Sequence, residues 1–193
     1  MEVFLGIDYG TGGAKGCIAN LEGKVLGYYF EEYPIITSKP GWSEHNPNLY
    51  WEIACRIIQN SIMQAKINPA EIKCIAVSCA LPCMVMIDRN GNPINNAYNL
   101  MDRRATREVQ WVKENIGERA VFNITANRLD DHHDGVNLLW EKRNRPEDFR
   151  HIYKVLTISS YINFKLTGNF QKYIRMPSSR AFIMQLKKDM MKN

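Results

Sequence analysis

Gly6-Ile7-Asp8-Tyr9-Gly10-Thr11-Gly12-Gly13 joins two strand-like runs, Val3 to Asp8 before it and Ala14 to Asn20 after it. A turn of small residues lets backbone N–H groups approach an anion closely, because no Cβ stands in the way. Thr11 adds a hydroxyl donor, and Asp8 at the strand end can hold Mg²⁺ through water. Lys15 lies just beyond the turn. No Gly-Lys-Ser/Thr follows, so this is not a Walker A loop. A strand follows the glycines where a dinucleotide fingerprint needs a helix.

Outward from the turn, Leu21-Glu22-Gly23-Lys24 marks a hairpin and Val25 to Tyr33 a third strand, so the chain opens as an antiparallel meander. Pro34 to Glu44 reads as extended or loop. Asn46 can cap a helix that Pro47 starts, with Tyr50, Ile53, Ala54, Ile57, Ile58 and Ile62 on one buried face. Ile72 to Cys79 and Met84 to Asp88 read as strands, the second closed by the turn Arg89-Asn90-Gly91-Asn92. A helix is predicted over Arg103 to Glu114, with Ala105, Val109 and Val112 inward. Asp134 is predicted to cap a helix through Leu138, Leu139 and Trp140. Pro146-Glu147-Asp148 opens a short helix with acidic residues at its positive end. Lys154 to Ile158 reads as a strand, and Ser159 as the cap of a helix from Tyr161 to Leu166 that Gly168 ends. This order predicts an α/β fold: a mixed sheet with an antiparallel β-meander and flanking helices.

The 193 residues are 45% hydrophobic and 23% charged, which excludes a disordered, collagenous or coiled-coil chain. No apolar run is long enough for a transmembrane helix, and no signal peptide is read at the start, so the expected setting is cytoplasmic. The net charge is +5. Lys172, Arg175, Arg180, Lys187, Lys188 and Lys192 face Asp189 alone, so residues 1–171 are neutral and residues 172–193 form a basic tail. A neutral body argues against a nucleic-acid partner. Cys17, Cys55, Cys74, Cys79 and Cys83 are odd in number, lack a Cys-x-x-Cys pair, and read as small buried hydrophobes. Asp130-Asp131-His132-His133-Asp134 holds residue types that suit a transition metal, but it is better read as a polar loop ahead of a helix.

The glycine stretch, extended to Ala14 and Lys15, resembles the opening of the FGGY carbohydrate kinases, especially their xylulokinase-like branch. Gly41-Trp42-Ser43-Glu44-His45-Asn46-Pro47, Met101-Asp102-Arg103-Arg104, Ile124-Thr125-Ala126-Asn127, Leu138-Leu139-Trp140 and Leu166-Thr167-Gly168 resemble further segments of that family in the same order. The resemblance covers roughly residues 1–170. It implies an actin-like (RNase H-like) domain over 1–171. It also implies ATP and Mg²⁺ as cofactors, and transfer of the γ-phosphoryl to a hydroxyl of a sugar or polyol of the xylulose class. Carried over position by position, it places Asp8 near the metal and Gly10, Thr11, Gly12, Gly13 and Lys15 near the phosphates. Leu81, Pro82, Asp102 and Arg104 fall on the sugar side.

Three departures accompany the resemblance. Family members run to more than twice this length, so the second domain and its adenine surface are expected elsewhere than in this chain. That leaves a cleft-facing surface open to self-association. The resemblance also places a proton-accepting Asp shortly after the Leu166-Thr167-Gly168 segment, where this chain has Tyr173 or Ile174. A tyrosine titrates near ~10 and cannot accept a proton at neutral pH. Finally, Leu81-Pro82 and Leu100-Met101 stand where polar or aromatic residues are usual, so the sugar stays unnamed. The expected function is the N-terminal half of an ATP-dependent carbohydrate kinase, incomplete for catalysis as this chain. The alternative is a non-catalytic sugar- or nucleotide-binding module of the same fold.

Overall fold

The computed structural model describes residues 1–170. Three strands, β1 (Val3–Tyr9), β2 (Gly13–Asn20) and β3 (Val25–Glu32), form the meander. β5 (Ile72–Cys79) joins it on the other side of β1, giving the order β3-β2-β1-β5. β1 pairs antiparallel with β2 (Ile7 opposite Gly16) and parallel with β5 (Ile7 beside Val77). The sheet is mixed, as expected.

Alternation along β1 and β2 buries Val3, Leu5, Ile7, Tyr9, Ala14 and Ile18 on one face. Helix α1 (Pro47–Ala65) covers that face with Tyr50, Ile53, Ala54 and Ile57. Asn46 caps α1, its side chain accepting from the Asn48 N–H at 3.0 Å, with Pro47 at the first position. The opposite face carries Phe4 from β1 and Tyr28 and Phe30 from β3, all exposed. α1 lies close to the sheet because two strand glycines leave room. A Cβ on Gly16 would stand 2.2 Å from Ile57 Cγ2, and one on Gly27 2.4 Å from the Ser61 carbonyl oxygen.

Most of the remaining elements form a second layer beyond β5, but the last helix, residues 158–167, packs on α1 and β5 and adds Ile158, Tyr161 and Ile162 to the first core. β4 (Glu44–His45) pairs with β7 (Ala97–Tyr98), and β6 (Val85–Ile87) with β8 (Lys154–Leu156). The turn at 89–92 forms as expected, with Asp88 N–H donating to the Asn92 carbonyl at 2.9 Å. Helices α2 (Thr106–Asn115), α3 (Glu118–Thr125) and α4 (Asp134–Asn144) share a small core of Ala105, Val112, Val121, Leu129, Val136 and Leu139. α5 (Pro146–His151) and α6 (Ile158–Thr167) follow, and Gly168 ends α6 in the left-handed region.

Several boundaries differ from expectation for local reasons. α2 starts at Thr106 rather than Arg103, because Asp102 and Arg104 are drawn into a buried ion pair described below. Thr157, not Ser159, caps α6: its hydroxyl accepts from the Ser160 N–H at 3.1 Å, and the strand stops at Leu156. His133 occupies the cap position of α4, and Asp134 is already its first helical residue without a capping bond. α3 was not anticipated. Of the cysteines, only Cys83 is buried; Cys74 is exposed on β5 and the others are intermediate.

The approach of α1 to the sheet is directly testable. Gly27→Ala places a methyl against backbone atoms, which cannot rotate away, and is expected to cost about 2–3 kcal/mol of stability. A urea midpoint within about 0.5 kcal/mol of the parent would contradict this packing.

Candidate phosphate and sugar site

β1 and β5 run parallel and end together. Asp8 lies beside Ser78 and Tyr9 beside Cys79, and the Ala80 N–H donates to the Tyr9 carbonyl at 2.7 Å. The loop after β1 (Gly10–Gly12) and the loop after β5 (Ala80–Cys83) therefore leave adjacent strand ends on the same side. Ligands of open α/β sheets bind outside such carboxyl ends.

The glycine turn is tight and internally held. The Gly10 N–H donates to the Gly13 carbonyl at 2.9 Å, and Tyr33 N–H donates to the Gly12 carbonyl at 3.2 Å. The Tyr33 hydroxyl donates to the Gly10 carbonyl. Beneath it, Tyr9, Tyr33, Tyr50 and His45 pack edge to face. Tyr9 Oη donates to the Tyr50 carbonyl at 2.6 Å. Burial holds His45 down to about 4, so its ring is neutral near pH 7. Burial also keeps Tyr50 protonated, and its hydroxyl shares a hydrogen bond of 2.6 Å with His45 Nδ1.

The three glycines of the turn differ in what surrounds them. A Cβ on Gly13 would meet the Phe30 ring at 2.7 Å, and one on Gly10 the Gly13 carbonyl at 3.3 Å. A Cβ on Gly12 would meet nothing within 4 Å. Only Gly12 is a glycine that the protein's own packing does not require. Asp8 pairs with Lys15 at 3.1 Å, both side chains part-exposed at the mouth of the turn. An open glycine flanked by a carboxylate and a mobile-stemmed ammonium fits a metal-bound phosphate group.

Of the four residues expected on the sugar side, Leu81 and Pro82 lie at the surface, joined by a cis peptide. Asp102 and Arg104 are enclosed. Arg104 donates from Nη2 to Glu44 Oε1 at 2.6 Å and to Asp102 Oδ2 at 2.7 Å, and from Nε to Asp102 Oδ1 at 2.9 Å. Its guanidinium is 3.7 Å from the Tyr98 ring centre and 3.9 Å from that of Trp42. Asp102 also accepts from the Ser43 N–H at 2.7 Å. Arg104 therefore reaches no solvent-facing surface. Asp102 borders an inner cavity beside Pro82. Tyr173 and Ile174 lie outside the described residues.

Leu81 and Pro82 wall a basin of about 410 Å³ together with Asn127, Arg128, Asp130, His132, His133 and Asp134. Asp130, Asp131 and His132 bring ligand-type atoms within 4.8 Å of one another. A guanidinium already fills that cluster: Arg103 Nη1 lies 2.5 Å from Asp131 Oδ1 and 3.2 Å from His132 Nδ1. His132 Nε2 donates to the Leu100 carbonyl at 2.7 Å, which fixes the tautomer and leaves Nδ1 to accept from Arg103.

Asp134 behaves differently from its neighbours. Its carboxyl makes no hydrogen bond or ion pair among the described residues, and burial pushes it up to about 6. The folded state thus holds this proton more tightly than the unfolded chain. The group's contribution to stability is complete below about pH 4 and is lost as pH rises through about 6. Asp134→Asn is expected to match the parent near pH 4 and to gain about 1–2 kcal/mol over it at pH 7. Paired thermal melts across that range would show it; a variant less stable at pH 7 would refute the reading.

An actin-like α/β domain with a mixed sheet is the class that this architecture defines. The chain belongs to the FGGY family of carbohydrate kinases, matching the model of the N-terminal domain over residues 3–188. It is 33% identical over 168 residues to a probable L-xylulose kinase of Haemophilus influenzae, covering 86% of this chain and 34% of that protein. It is 32% identical to a glycerol kinase of Thermococcus onnurineus over 168 residues, with 85% and 34% covered. The crystal structure of a ligand-bound xylulose kinase from Lactobacillus acidophilus superposes with a TM-score of 0.85 at 25% identity, over 94% of this chain and 36% of that one. The chain spans about a third of the length of the relatives it matches. No helix among the described residues is long and apolar enough to cross a membrane.

Proposed function

We propose that this chain is the phosphate- and sugar-binding half of an ATP-dependent kinase that phosphorylates a hydroxyl of a xylulose-like sugar or polyol. The observation that carries this reading is the shared strand end. The parallel pairing of β1 with β5 sets the glycine turn and the Leu81–Pro82 wall side by side. A phosphate held at one is next to a sugar held at the other, the positioning on which phosphoryl transfer depends.

In this reading Gly12 and Gly13 offer backbone N–H groups to the phosphates, Thr11 offers its hydroxyl, and Gly10 closes the turn behind them. Asp8 would hold Mg²⁺, which would neutralise phosphate charge, and Lys15 would hold a phosphate oxygen. Leu81 and Pro82 exclude water from one side of the sugar. Arg104 contacts neither partner and holds Asp102 and the Trp42–Glu44 segment in place. The adenine is assigned to none of the described residues, and a base at Tyr173 or Ile174 is assigned to neither. In this reading turnover draws on more than the described residues.

The direct test mixes residues 1–193 with the remaining two-thirds of a xylulose kinase relative and follows ADP release with xylulose, xylitol and glycerol. Polyol-dependent ADP release is expected, reduced on the order of a hundredfold by Asp8→Ala. Gly12→Val should leave the melting temperature unchanged, because its side chain enters open space, while abolishing the transfer. Polyol-independent ADP release, or full activity in Gly12→Val, would overturn the assignment of the turn.

A further inference from the structure

At the floor of the basin, between Pro82 and α4, lies a recess of about 10 Å³. That is the room of one oxygen atom with its hydrogens, about the space of one water. Asn99, Asp102, Asp134 and Asn137 line it together with Cys83 and Tyr98. Asn99 and Asn137 are 7% and 5% exposed. Each spends one end of its amide on the protein. Asn99 Oδ1 accepts from the Met101 N–H at 2.8 Å, and Asn137 Nδ2 donates to the Asp131 carbonyl at 3.1 Å.

The other ends, Asn99 Nδ2 and Asn137 Oδ1, are buried and have no partner. Leaving a buried amide donor or acceptor unpaired costs about 1–3 kcal/mol each. Two residues that line one small recess thus carry one unpaired donor and one unpaired acceptor, the complement of a single hydroxyl, which both accepts and donates. Asp134 lies three residues before Asn137, on the same face of α4, and borders both the recess and the basin. It too lacks a partner among the described residues.

We propose that Asn99, Asn137 and Asp134 form a hydroxyl-reading subsite that takes one hydroxyl of a polyhydroxylated substrate lying in the basin, and so decides which polyol this chain accepts. The inference rests on the kinase reading above and adds to it the residues that discriminate among substrates. Asn99 Nδ2 donates to the hydroxyl oxygen. Asn137 Oδ1 receives the hydroxyl proton, and the Asp134 carboxylate receives a second hydroxyl at the mouth of the recess. Leu81 and Pro82 offer no side-chain hydrogen bond to a sugar, so the reading falls to the polar side chains of the basin and its recess.

The test is calorimetric titration of residues 1–193, alone and with the complementing two-thirds used above. The ligands are xylulose, xylitol and glycerol, and a series of deoxy-xylitols each lacking one hydroxyl. The parent should lose affinity by about tenfold or more for one deoxy position and little for the others. Asp134→Asn, whose fold does not depend on the carboxylate, should weaken polyol binding about tenfold or more. Asn137→Leu should bind the parent polyol and the critical deoxy analogue equally. If that variant does not fold, Asn99→Asp, which exchanges the free donor for an acceptor, should produce the same levelling. Equal binding of every deoxy analogue by the parent, with Asp134→Asn unaffected, would mean that the recess holds a permanent water. That result overturns the subsite and leaves the kinase reading standing. Loss of polyol-dependent ADP release in the complemented parent would overturn both.

Discussion

A charge buried inside a protein must be matched, and the second layer of this one is arranged around matching Arg104. Its guanidinium is sealed from solvent between the Tyr98 and Trp42 rings and fixed by the carboxylates of Asp102 and Glu44. Trp140 closes against Trp42 at 5.4 Å, edge to face. Those partners come from the loop before β4, from β4, β7 and α4, and from the segment before α2. Removing Arg104 would leave the buried carboxylates of Asp102 and Glu44 without their cation, a loss of about 3–5 kcal/mol. Because Asn99 N–H bonds the Ser43 carbonyl and Asp102 bonds the Ser43 N–H, the same knot sets the position of the recess wall. Arg104 shapes the sugar side without touching it.

The glycine turn rests on a different device. There the tyrosines and His45 fill the space under the turn, and Tyr33 holds the Gly10 and Gly12 carbonyls. Neutral hydrogen bonds and edge-to-face rings do there what an ion pair does in the second layer. The two devices meet at β4, where Glu44 turns to Arg104 and His45 to Tyr50.

The meander, α1 and the parallel strand β5 were legible because their signals are local. Alternation, an Asn-Pro start and glycine turns each depend on a few consecutive residues. The boundaries that moved, at Arg103, Ser159 and Asp134, are places where a side chain has a tertiary task that competes with helix initiation. Cys74 was read as buried because its run is apolar, yet its strand exposes that face. Asp134 was read as a cap because Asp before an apolar run is a capping signal. Its spacing of three from Asn137 was a clue to a shared face, but nothing in the sequence tells that Asn99 stands across from them. Amide groups left unpaired in the interior are visible only once every other hydrogen bond has been accounted for.

The meander and the cavity walls also differ in how far along the chain their parts lie. The turn is closed by neighbours: β1, β2 and β3 follow one another through short hairpins. The recess draws on residues 82, 99, 102, 134 and 137, and β5 reaches β1 only after α1 has been crossed. Closing such long loops carries an entropic cost that the hairpins do not bear. During synthesis the N-terminal segment emerges first. The strands on either side of the glycine turn therefore close locally, whereas the recess beside Pro82 exists only when α4, the last of its walls, has arrived. In the reading proposed above, selectivity is the property of the domain that draws most on long-range contacts.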